Sequence, residues 1–138
     1  MTVFVDTDVL VDVALDRAPH AAAAGKLLDR LERNEAAGFM AWHSASNLYY
    51  LVAPKRGKND TRRFLLELTE FIEIAPSSTE SLRQAARLDL SDFEDAMQVA
   101  AAIACGADVV ATRNVRDYSR APIDAATPAS VLKLFSSR

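Results

Sequence analysis

Three groups of oxygen-bearing side chains have types and spacing that could do chemistry. The first is Asp6, Asp8 and Asp12 in "VFVDTDVLVD", the second Asp92, Glu94 and Asp95 in "SDFEDAMQ", and the third Thr112, Asn114 and Asp117 in "TRNVRDY". Carboxylates gathered in a partly dehydrated cleft repel one another strongly, and the usual compensation is a hard divalent cation. Oxygen ligands without paired cysteines or histidines select Mg²⁺ or Mn²⁺ over zinc. The natural chemistry of such a site is metal-assisted hydrolysis or transfer at a phosphate. Asp92 and Asp95 stand three residues apart and share a helix face, whereas Glu94 points away from Asp92 and reads as a solvated first-turn acid or capping-box partner. Asp8 reads first as a helix cap and Asp12 as a solvent-facing residue of the same helix.

The elements that must bring these groups together are legible from hydrophobic periodicity. Residues 3 to 5 form a short apolar run without alternation, the pattern of a strand covered on both faces, and "VLVDVAL" resumes at helical spacing. Pro19 opens a second helix that ends by Gly38. "FMAW", "FIEIA" and "DVVAT" are three further strand candidates, and residues 123 to 125 offer a short fifth. Between them lie helices in "HSASNLYYLVA", stopped by Pro54, in the segment after the polar loop "KRGKND", in "SSTESLRQAARLDL", and in "SDFEDAMQVAAAIACGAD", capped by Ser91 or Asp92. "PASVLKLF" closes the chain as a last helix. Strands alternating with helices predict an α/β fold with a mostly parallel sheet of four to five strands, helices on both faces, and a site at the strands' carboxyl edge.

Bulk properties narrow the function. A chain of 138 residues, half of them hydrophobic, is sized for one domain over residues 1 to 138 with a substantial core. A formal charge of −3 argues against holding nucleic acid by bulk electrostatics, so any such contact must be local. The densest positive run, Lys55, Arg56, Lys58, Arg62 and Arg63, is ordinarily a solvated face and is also the candidate grip on a nucleic-acid backbone. One cysteine, Cys105, and the lack of an apolar stretch near 20 residues fit a cytoplasmic protein without a membrane span. His20 and His43 lack partner spacing. Tyr49 and Tyr50 suit packing or a dimer contact ahead of base stacking.

The stretches "VFVDTDVLVD", "DFEDAMQVAAAIACGADVVATRN" and "VRDY" resemble the PIN-domain family, in particular the VapC-type toxin ribonucleases of bacterial toxin-antitoxin pairs. The resemblance runs along nearly the whole chain in order and spacing, and the D-x-E-D helix start followed by T-R-N-x-x-D-aromatic is its most specific part. It implies a three-layer α/β/α fold, a homodimer, an antitoxin partner, and an acidic pocket that binds Mg²⁺ or Mn²⁺ and cuts RNA phosphodiesters. Residue by residue, Asp6 matches the family's first metal-site aspartate, Asp95 the one opening the long buried helix, and Asp117 the aspartate of the last turn. Thr112 matches that turn's hydroxyl, and Thr112 and Asn114, with Asp92 and Asp8, are expected around the ligands rather than on the metal. The family's usual glutamate in the helix after the second strand is Asn47 here. An amide can ligate through its carbonyl oxygen but brings no charge and cannot act as a base, so metal affinity should fall.

Two readings follow. In one, Asp6, Asp95 and Asp117 hold the metal, with Asn47 or water completing the set, and the chain is an endoribonuclease toxin. In the other, the site has decayed through Asn47 and the fold serves as an RNA- or protein-binding module. A third, a phosphatase using "DTD" as a nucleophile motif, lacks the expected glycine-threonine after the acids and has no lysine between Lys58 and Lys133.

Overall fold

The computed structural model describes residues 1–136. Five strands form one sheet: β1 Thr2–Val5, β2 Ala37–Met40, β3 Ile72–Ile74, β4 Val109–Ala111 and β5 Ala125–Ala126. Their order is β3-β2-β1-β4-β5, and every adjacent pair is parallel, so the expected mostly parallel sheet is wholly so. The helices are α1 Thr7–Ala14, α2 His20–Glu32, α3 Trp42–Arg56, α4 Lys58–Leu68, α5 Thr79–Arg87, α6 Phe93–Ala104 and α7 Pro128–Ser136, with a 3-10 turn at Val115–Tyr118.

Period-2 alternation in β1 divides the core. Val3 and Val5 join one cluster with Leu10 of α1, Leu27 of α2, Leu48 of α3 and Val131 of α7, while Phe4 joins a second with Val99 and Ala102 of α6. Both faces of the sheet are thus covered, which is why β1 and β4 read as unbroken apolar runs. The chain runs outward from β1 through β2 to β3, then returns across the sheet to β4. β1 and β4 therefore flank the point where successive connections diverge, the place where parallel sheets open a ligand crevice.

Two junctions differ in detail from the sequence expectation. Trp42, expected at the end of a strand, is the first residue of α3, and β2 instead occupies residues 37 to 40. The supposed loop "KRGKND" is helix on both sides of a single break: α3 runs through Pro54 to Arg56, and α4 starts at Lys58. The hydrogen bond that Pro54 forfeits would have run to the carbonyl of Tyr50, a residue 74% exposed, so solvent can take its place. Gly57, at φ 90° and ψ 156°, makes the corner alone, in backbone territory that favours glycine.

Candidate active site

The backbone delivers two residues side by side at the carboxyl edge. Asp6 N–H donates to the carbonyl of Ala111 at 2.9 Å, carrying the β1–β4 ladder one residue past β1, and Thr112 N–H donates to Ala126 at 2.9 Å just past β4. Asp6 occupies the N-cap position of α1, yet its carboxylate makes no capping bond. It turns inward, where it is 5% exposed. Oδ1 accepts from Gln98 Nε2 at 2.8 Å and Oδ2 from the Tyr118 hydroxyl at 2.8 Å.

α6 brings the second group of acids to the same edge. Asp92 is its N-cap, with Oδ1 accepting from Asp95 N–H at 2.9 Å, so the structural role expected of Asp92 is present. Oxygens of Asp92, Glu94 and Asp95 lie within 4.8 Å of one another. This corrects the expectation for Glu94, which is neither turned away from Asp92 nor simply solvated: it accepts from Gln98 Nε2 at 3.0 Å and Asn47 Nδ2 at 3.2 Å, with His43 Nε2 at 3.5 Å.

Two neutral donors tie the acids into one unit. The Gln98 amide, fully buried, reaches Asp6 and Glu94 and also Thr7 Oγ1 at 2.9 Å. The Tyr118 hydroxyl lies 2.8 Å from Asp6 and 3.4 Å from Asp95. Burial, with the nearby acids adding to it, holds that hydroxyl well above the usual tyrosine value, so it stays protonated and donates. Neither residue was picked out from sequence; Gln98 lies one helical turn beyond Glu94, and Tyr118 is the aromatic of the D-aromatic pair.

Asp8 does not cap a helix. Its Oδ2 accepts from Asn114 Nδ2 at 2.8 Å and Thr112 Oγ1 at 3.3 Å, while Thr112 Oγ1 accepts from Asn114 N–H at 3.1 Å. The "TRN" turn thus locks onto α1 through Asp8. Asp12 is likewise not on the surface. It is 1% exposed and pairs with Arg17 and Arg113 at 2.9 and 3.0 Å. One helical turn separates Asp8 from Asp12, so both face the "TRN" turn.

The electrostatics reflect crowding. Burial raises Asp6 above its ordinary value, opposed in part by the Tyr118 hydrogen bond. Burial, and then the neighbouring Asp6, push Asp8 up to about 7 even with Arg113 beside it. Asp95 is also pushed up to about 7, by desolvation and then by Asp92, Asp6, Glu94 and Asp117 in turn. Anions crowded in this way are a donor set for a hard divalent ion. The acids Asp6, Glu94 and Asp95 face a cleft of about 610 Å³ that Asp8, Asn47, Tyr50, Arg17, Arg113 and Asn114 also line.

Other expected residues sit elsewhere. Asp117, in the 3-10 turn, lines a neighbouring hollow with Asp89, Ser91, Arg116 and Arg120 and reaches the cleft through its repulsion of Asp95. The basic run lies around the α3–α4 corner and lines no part of the cleft. Within it, Arg56 donates to the Ala14 carbonyl at 3.0 Å, Arg62 stands over the Tyr49 ring, and Arg63 pairs with Asp60. Among the described residues no helix is long and apolar enough to cross a membrane.

The same architecture occurs in solved structures. A chain of VapBC2 from Rickettsia felis, crystallised with a DNA fragment from its promoter, superposes with a TM-score of 0.72 at 18% identity over 92% of this chain and 98% of that one. VapC20 of Mycobacterium tuberculosis, a Sarcin-Ricin loop cleaving toxin, gives 0.61 at 16% identity, covering 78% and 86%. At these identities the likeness is one of fold. No curated protein matches the sequence. The model of the PIN domain matches residues 2–116, most of the chain, which therefore belongs to the PIN-domain family.

Proposed function

We propose that this chain is a Mg²⁺- or Mn²⁺-dependent endoribonuclease acting as the toxin of a type II toxin-antitoxin pair. The observation that carries the reading is the convergence of Asp6, Glu94 and Asp95 on one cleft, bridged by Gln98 and Tyr118. Membership of the PIN family and the fold shared with VapBC2 and VapC20 support RNA as the substrate and an antitoxin as the partner.

Asp6, Glu94 and Asp95 are the residues that would hold the ion, with Asp92 at their edge and Asp117 behind Asp95. Glu94 answers the difficulty posed by Asn47. The amide that replaces the usual glutamate donates to Glu94, so a carboxylate stands at that corner, carried by α6 instead of α3. Bound there, the cation supplies Lewis acidity that stabilises charge developing on the phosphate and makes water a better nucleophile. The protein's own part is orientation. Gln98 fixes one oxygen of Asp6 and one of Glu94, Tyr118 fixes the other oxygen of Asp6, and Thr112 and Asn114 fix Asp8. Hydrolysis in this manner leaves a 5′-phosphate and a 3′-hydroxyl.

The alternative, a binding module with a decayed site, draws on the same Asn47, which brings no charge of its own. Incubation of the protein with end-labelled structured RNA in Mn²⁺ or EDTA separates the two. Cleavage in Mn²⁺ that EDTA abolishes and that the Asp6→Asn variant lacks supports the nuclease. An inert parent rescued by Asn47→Glu supports decay.

A further inference from the structure

A buried carboxylate needs one cation to balance it. Asp12, 1% exposed, has two. Arg17 Nε donates to Oδ1 at 2.9 Å, and Arg113 Nε stands 3.0 Å from Oδ2, where Arg113 also faces Asp8. Both arginines are held from behind. At the end of α1, Asp16 adopts φ 51° and folds the chain back so that Arg17 N–H donates to the Asp12 carbonyl at 3.0 Å. Arg113 lies just after Thr112, past the end of β4, inside the turn locked to Asp8. Arg17 hydrogen-bonds Asp12 through Nε while Arg113 meets it as an ion pair alone, and the side chains stay 39% and 31% exposed on the wall of the cleft that holds Asp6, Glu94 and Asp95.

We infer that Arg17 and Arg113 form a phosphate-binding subsite which takes an RNA phosphodiester adjacent to the one cleaved, with Asp12 as the residue that positions them. The inference rests on the nuclease reading for the identity of the polyanion. Three features favour it. Planar guanidinium forks match phosphate oxygens in pairs. An acidic protein that handles RNA must attract it locally, and this cation pair opens onto the acidic cleft whereas the run at the α3–α4 corner does not. Finally, both side chains remain part-exposed beside Asp12, 39% and 31%, so guanidinium surface is left for a ligand.

The test is the affinity of a fluorescent single-stranded RNA oligonucleotide in Ca²⁺, measured against salt, for the parent and for Arg17→Gln, Arg113→Gln, Arg17→Lys and Arg113→Lys. Each glutamine variant should bind about 10-fold more weakly and lower the slope of log affinity against log salt by about 0.7. In Mn²⁺ the KM for cleavage should rise while kcat holds. The lysine variants keep a cation against Asp12, so they remain folded and keep the slope, yet lose several-fold in affinity with the fork. Lysine and glutamine variants that bind with the parent's affinity and slope would overturn the subsite while leaving the nuclease reading intact. A parent that binds RNA through these arginines but never cuts it would sink the nuclease reading and keep the subsite. A parent that does not bind RNA overturns both.

Discussion

Gln98→Met isolates the donor that holds two acids at once. Methionine nearly preserves the volume of a side chain that is 0% exposed, so packing changes little. What is lost is an amide lying 2.8 Å from Asp6, 2.9 Å from Thr7 and 3.0 Å from Glu94. Its two hydrogens serve two of these acceptors at a time. Hydrogen bonds to charged groups contribute about 1.5–3 kcal/mol each. Against that, Gln98 Oε1 is buried with no partner among the described residues, and deleting it removes a penalty of about 1–3 kcal/mol. Two such bonds less that penalty leave a net loss of about 2–3 kcal/mol at pH 8 in EDTA. The loss should shrink at pH 4, because burial raises the Asp6 carboxyl above its ordinary value of 3.8 and a neutral carboxyl needs the donor less. Urea denaturation at both pH values reads this as a lower midpoint at unchanged slope. An unaltered midpoint at pH 8, or equal losses at the two pH values, would refute the reasoning.

Three other perturbations probe the same cluster. Asp8 and Asp95, each raised to about 7 from 3.8, bind more protons folded than unfolded between those values, so stability in EDTA should fall as pH rises from about 4 to 8. Mn²⁺ should then raise the melting temperature more at pH 8 than at pH 5; calorimetry showing the opposite trend would contradict the crowding. Tyr118→Phe removes the hydroxyl from Asp6 and should cost about 1–2 kcal/mol at pH 8 by urea denaturation, with the Asp6 carboxyl moving further up in an NMR titration. Asn47→Glu sets a like charge against Glu94. Such a pair costs about 4 kcal/mol at an effective dielectric of 20, and about 1 kcal/mol at a partly exposed site. Melting in EDTA should fall accordingly, while calorimetric Mn²⁺ affinity rises.

The fold was legible because its signals are local. Each strand is a short apolar run between helices, and the order of elements matches the one found. The residues that failed are those whose role is set across the sheet. Asp12 sits at a spacing that suits a solvated helix face, and only the return of Arg17 and the approach of Arg113 from β4 bury it. Glu94 was read from its own helix as a solvated acid, whereas Asn47 and Gln98 turn it into the site. Gln98 and Tyr118 are ordinary residues for a buried helix and a turn, and no pattern in the chain marks them as partners of Asp6, 92 and 112 residues away. Asp6 and Asp95 were legible because strand end and helix start each place them by a local rule. The α3–α4 corner misled because polar composition suggested a loop where a single glycine suffices.

The acids gathered around Asp6 are proposed as a metal-dependent ribonuclease centre in which Glu94 supplies the carboxylate that Asn47 lacks. Single-turnover cleavage of end-labelled RNA in saturating Mn²⁺, compared between the parent and Glu94→Gln, tests it most directly. The parent should cleave in Mn²⁺ and not in EDTA, and the variant should cleave more slowly by roughly 100-fold. Equal rates in parent and variant, or a parent that leaves the RNA intact, would contradict it.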